Sequence, residues 1–203
     1  MLSSITPLGE RGRQNRWALT AAAYMVASSL AGAGVGLALG VTGAVLGDPF
    51  PAPARLGALA LVGVLGAATD LGVGRLRVPT IRRQVDEGWI GRYRGWVYGV
   101  GYGAQLGVGV ITIITSAATW VALAAALLTG TWWGGLVVGA VFGLTRALPL
   151  LFAMPAKDPA ALRELHSRIE RWAPRARRLA VGGQGLAAGA AVLLAVAAIG
   201  APP

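Results

Sequence analysis

The sequence predicts an all-α protein, a polytopic membrane bundle of about five transmembrane helices, with the third long and broken, plus one amphipathic interfacial helix. Two observations predict it. Hydrophobic residues make up 55% of the 203 positions and the mean hydropathy is +0.63, a membrane composition. Of the 18 Lys and Arg residues, all but Arg55 and Arg146 fall in three short segments between long apolar blocks. Those segments, Met1 to Arg16, Arg75 to Arg94 and Lys157 to Arg178, hold three, six and seven basic residues. Cytoplasmic loops carry such an excess, so the alternation predicts orientation as well as class.

A span needs about 20 mainly apolar residues to cross ~30 Å of hydrocarbon. Five blocks meet that length: Trp17 to Gly47, Ala54 to about Gly74, Tyr93 to Gly130, Thr131 to Met154, and Leu179 to Gly200. Five crossings place every basic cluster inside. The Asp48 to Arg55 turn, the Thr129-Gly130-Thr131 turn and the closing Ala-Pro-Pro then lie outside. Trp17, Trp89 and Trp96 flank the inner ends, and Trp132 and Trp133 the outer end of the fourth block, as headgroup-level aromatic belts do. The whole chain, 1–203, reads as a single integral domain of a bacterial inner membrane, with residues 1–16 a cytoplasmic segment and the C-terminus outside.

Block three is the exception. Its 38 residues would form a helix of roughly 57 Å, nearly twice the hydrocarbon thickness. Glycines, β-branched residues and hydroxyls between Gly107 and Ser116 weaken helix there, and a break is expected; a long tilted helix is the alternative. Residues 157–178 read as the interfacial helix. Asp158 caps it, Pro159 opens it, and Leu162, Leu165, Ile169 and Trp172 line one side. Arg163, Arg168, Arg171 and Arg175 line the other, and Pro174 is expected to end it before the last span.

Charge distribution points to anionic lipid headgroups as the acidic partner and away from nucleic acid, since the cations bracket apolar spans. The absence of cysteine excludes thiol chemistry, and one histidine with eight acidic residues argues against a metal centre. No cofactor and no catalytic set is expected. Ser28, Gly32, Gly36 and Gly40, then Gly95, Gly99, Gly103 and Gly107, then Gly135, Gly139 and Gly143 form four-residue seams. Such seams bring backbones together within a bundle, a homo-oligomer or a membrane-protein partner.

Intramembrane polar residues give the candidate site. Asp70 and Arg146 lie near the inner ends of the second and fourth spans, with Gln105 at similar depth. Thr112, Thr115 and Ser116 lie at the expected break. Charges inside spans are costly and face a partner or a cavity, so these six read either as a solute site or as a structural Asp70–Arg146 pair. The main reading is a small transporter-like protein and not an enzyme. The alternative is a non-catalytic structural subunit or assembly factor of a membrane complex.

The run Tyr98-Gly-Val-Gly-Tyr-Gly103 at the head of a long block resembles the start of the second half of the cytochrome c biogenesis (CcdA) and DsbD-type transmembrane proteins, in a superfamily with LysE-type exporters. Ile5-Thr6-Pro7-Leu8 is similar to the start of the first half, and Ile5-Thr6 matches Ile114-Thr115 as a faint repeat. The resemblance implies inverted halves with discontinuous helices. That family relays electrons through cysteines, absent here, so it implies the scaffold without thiol chemistry.

Overall fold

The computed structural model describes residues 5–47, 50–73, 78–80 and 88–200. Among them the regular structure is entirely helical. The order is α1 (Pro7–Gly12), α2 (Trp17–Gly47), α3 (Ala52–Leu71), α4 (Trp89–Arg92), α5 (Gly95–Val108), α6 (Ala118–Leu128), α7 (Trp132–Ala147), a 3₁₀ turn (Leu148–Ala153) and α8 (Pro159–Gly200). Four stretches are long and apolar enough to cross a membrane: α2, α3, α7 with its 3₁₀ extension, and α8. Arg75, Arg77, Arg82 and Arg83 of the second basic cluster, Asp48 of the outer turn and the Ala-Pro-Pro end lie outside the described residues.

Local chemistry fixes the element ends. Thr6 starts α1 by accepting the Gly9 N–H at 3.1 Å, with Pro7 in the first turn. Gly72, at φ +77°, ends α3. Its N–H and that of Val73 return to the Thr69 and Ala68 carbonyls, a Schellman closure that stops the second block just short of the expected Gly74. Block three stops at Val108, where Gly109 turns out of the helix at φ +85°, and resumes only at Ala118. Its halves, 14 and 11 residues long, are each too short to cross alone.

One expectation needs correction. Pro174 does not end the basic helix: α8 runs unbroken from Pro159 through Pro174 to Gly200, 42 residues in all. Residues 157–178 are therefore continuous with the last apolar block in one helix. A proline removes one backbone hydrogen bond, and the strong helix formers on either side carry the helix past it. Asp158 does cap α8 through the Ala161 N–H at 2.8 Å. The N-terminal segment packs in place, because Ile5, Thr6 and Glu10 are buried and the Leu8 N–H reaches the Ala156 carbonyl at 3.1 Å.

The chain divides into two compact units. The first comprises Met1–Ala33, Ile81–Ile113 and Ala140–Ala173. Its core joins Ile5, Ala21, Tyr24, Tyr98, Tyr102, Ala147 and Leu150. The glycine seam of α5 lies here along α2: a Cβ on Gly99 would come within 2.7 Å of the Thr20 carbonyl, and Cβ atoms on Gly103 and Gly107 would overlap those of Tyr24 and Ser28. Four-residue spacing thus runs one backbone down another, and only hydrogen fits between them. Trp17 and Trp89 turn inward in this unit, donating to the Ile5 carbonyl and stacking on Tyr102, whereas Trp96 stays half exposed.

The second unit comprises Gly34–Thr80, Ile114–Gly139 and Pro174–Pro203. Here Gly36 and Gly40 of α2 pack on Gly135, Gly139 and Thr131, with no room for a Cβ. Helix α3 lies against α6 and against α8, where Gly63 faces Ala188. Trp132 and Trp133 are exposed, as belt residues are.

Candidate functional site

Each end of the interrupted block carries a charged side chain. In the first unit, α5 ends with unpaired carbonyls at the negative end of its dipole. Arg146 of α7 closes that end, donating to the Gly109 carbonyl at 2.9 Å and to Thr112 Oγ1 at 3.2 Å. Its guanidinium lies over the Phe142 ring, 5.5 Å from the centroid.

In the second unit, α6 begins with free N–H groups at its positive end. Asp70 of α3 reaches them: Oδ1 accepts the Ala117 N–H at 2.8 Å, and Oδ2 accepts the Ser116 hydroxyl at 2.6 Å. Gln184 of α8 donates a third hydrogen bond to Oδ2 at 2.7 Å, and Arg177 donates to the Asp70 backbone carbonyl at 2.6 Å. Asp70 is 8% exposed and Gln184 3%. Asp70 thus acts as an N-cap supplied from another helix, matching a carboxylate to a helix N-terminus.

Of the six residues singled out from sequence, Asp70 and Ser116 meet in one place, and Arg146 and Thr112 in another. Asp70 and Arg146 each take their partners within their own unit. Gln105 is half-buried in α5, Thr115 is exposed, and neither bonds to these charges. Gln184 and Arg177 escaped the sequence reading, although Gln184 is the lone polar residue between Leu179 and Gly200. In a run that is otherwise Ala, Gly, Leu, Val and Ile, a single amide is a signal.

Sequence reasoning also missed Glu10, which is fully buried. It accepts from Arg13 Nη2 at 2.8 Å, from the Thr20 hydroxyl at 2.9 Å and from the Tyr98 hydroxyl. Burial opposes the Arg13 charge, but the hydrogen bond to Glu10 and the fields of Tyr98 and Glu10 outweigh it and hold the guanidinium above its ordinary pKa. The available signal was Glu10 four residues after a Thr-Pro helix start. Among the described residues no group of three His, Asp or Glu gathers as metal ligands do. These centres hold helix ends and the N-terminal segment in place.

No protein-family profile matches the chain, and no solved structure matches it. Among curated proteins it is similar to the methylamine utilization protein MauF of Paracoccus versutus, 31% identical over 153 residues, covering 73% of this chain and 56% of that protein. It is 30% identical over 182 residues to MauF of Paracoccus denitrificans, covering 85% of this chain and 61% of that one. With MauF of Methylophilus methylotrophus it shares 28% identity over 174 residues, covering 84% and 60%. The chain therefore spans less than two thirds of the length of these relatives. These names overturn the resemblance to CcdA and DsbD-type proteins. The Tyr98-to-Gly103 run that suggested it has a packing cause, since Gly99 and Gly103 seat α5 on α2, Gly101 faces the Trp89 ring, and Tyr98 and Tyr102 fill the core.

Proposed function

We propose, from this similarity, that the chain is a MauF-like membrane protein serving methylamine utilization as a non-catalytic accessory or assembly factor. The transporter reading draws no support from the relatives' names. One observation favours a scaffold over a solute path: the intramembrane charges are engaged in closing helix ends. Arg146 is used at Gly109 and Thr112, and Asp70 at Ser116, Ala117 and Gln184. A carboxylate that already accepts three hydrogen bonds is a poor partner for a passing solute.

The orientation follows the positive-inside pattern. The N-terminus is cytoplasmic and the C-terminus outside a bacterial inner membrane, with the Tyr93-to-Gly130 block as the third of five crossings. The partner is a membrane protein of the methylamine-utilizing system, and the basic segments face anionic lipid. Deletion of the gene in its own host tests the function. Growth on methylamine should fail while growth on another carbon source persists, and cells should still accumulate radiolabelled methylamine. Unimpaired growth on methylamine overturns the reading, and lost accumulation restores transport. For topology, a periplasm-active reporter at the C-terminus should be active.

A further inference from the structure

Arg55 is one of only two basic residues outside the three clusters, and the positive-inside pattern puts it at the outer face. It sits in the first turn of α3, which has no acidic residue and no side-chain cap. A cation there is repelled by the positive end of the helix. Yet among the described residues Arg55 forms no salt bridge, and its half-buried guanidinium lies over the Gly130 turn. Beside it the second unit has a groove of about 260 Å³, lined by Gly43, Leu46, Phe50, Ala58, Leu127 and Leu128. Among the described residues Arg55 is the one charge in that apolar lining. Leu46 and Phe50, both more than half exposed, form its rim.

A cation at one end of a hydrocarbon-lined groove, with no anion paired to it among the described residues, matches an amphiphile with an anionic head. At the outer membrane–water boundary, a phospholipid supplies both parts. We infer that the groove holds an acyl chain of an anionic phospholipid whose phosphate rests on Arg55, sharing the positive field of the α3 N-terminus. The phosphate removes the conflict between Arg55 and the helix dipole, and a guanidinium offers it paired donors. This site is independent of the accessory role, since it requires only that the chain lie in a membrane.

The test is native mass spectrometry of the full chain in mild detergent, titrated with phosphatidylglycerol, phosphatidylcholine or oleate. Wild-type protein should bind phosphatidylglycerol in preference to the other two. Arg55→Gln should weaken that binding about five-fold, the effect of one basic residue on an anionic headgroup. Ala58→Trp, which fills the groove from its exposed wall, should weaken it at least as much, with circular dichroism and elution volume confirming the fold. Undiminished binding of phosphatidylglycerol by Arg55→Gln overturns the site. Equal binding of phosphatidylcholine overturns the charge argument, and preferred binding of oleate replaces the phospholipid with a free carboxylate.

Discussion

Where α5 stops, a cation closes the helix, and where α6 starts, an anion does. Arg146 meets the carbonyl of Gly109, and Asp70 meets the N–H of Ala117, so each charge opposes the partial charge of the helix end it touches. Their surroundings differ. Asp70 is buried and accepts from three groups, two of them side chains that lose their partner if it is removed. Arg146 is half-buried, donates to one carbonyl and one hydroxyl, and has an aromatic face beneath it. The charge that organises several buried donors is the costlier one to remove, because each stranded donor adds its own desolvation penalty.

Asp70→Leu therefore has the largest expected effect. It should destabilise the protein by ~3–5 kcal/mol in denaturant titrations of the micellar protein, and Asp70→Asn should recover part of this. A loss below that of any Arg146 variant would reverse the ranking of the two ends. Next comes the seam that seats α5: Gly107→Val drives a side chain into the Ser28 carbonyl and should cost ~2–3 kcal/mol. Wild-type stability in that variant would mean that α5 does not lie on α2. Arg146→Gln should cost ~1–2 kcal/mol, while Arg146→Lys, which keeps a cation at the end of α5, should lose less than half as much. Equal losses from Gln and Lys would show that bidentate geometry, and not charge, closes α5.

Tyr98→Phe, which removes one donor from buried Glu10, should cost ~1 kcal/mol and make residues 5–16 more sensitive to limited proteolysis. Unchanged proteolysis would show that Glu10 does not hold that segment. Thr115→Ala should stay within ~0.5 kcal/mol, since Thr115 is exposed beside the break. A larger loss there would point to a contact made only in the membrane.

Much of the fold was legible because membrane rules act locally. Apolar length marks the spans, basic residues mark their ends, and weak helix formers after Gly107 mark the break. What escaped was long-range. Nothing near Asp70 announces that Ser116, 46 residues on, and Gln184, 114 residues on, will be its donors. Equal depth alone suggests an Asp70–Arg146 pair, and depth does not specify which helix faces which. Pro174 misled for a different reason: a proline is a strong local signal, and the 42-residue helix overrides it. Glu10 was passed over because Met1 to Arg16 reads as a basic solvated segment, and its burial depends on Tyr98 from α5.

The reach of the Asp70 contacts also bears on how the protein is made. Synthesis delivers α3 to the membrane well before Ser116 and Ala117 exist, and Gln184 follows only 114 residues after Asp70. Until α6 is made the carboxylate has none of those donors, and an unpartnered acid is strongly disfavoured at bilayer depth. Its place in the last turn of α3, two residues before the Gly72 closure, lets it wait at the headgroup boundary, in contact with water. Truncation before Gln184 should leave α3 inserted with Asp70 short of one donor, so this centre is complete only once α8 has left the ribosome.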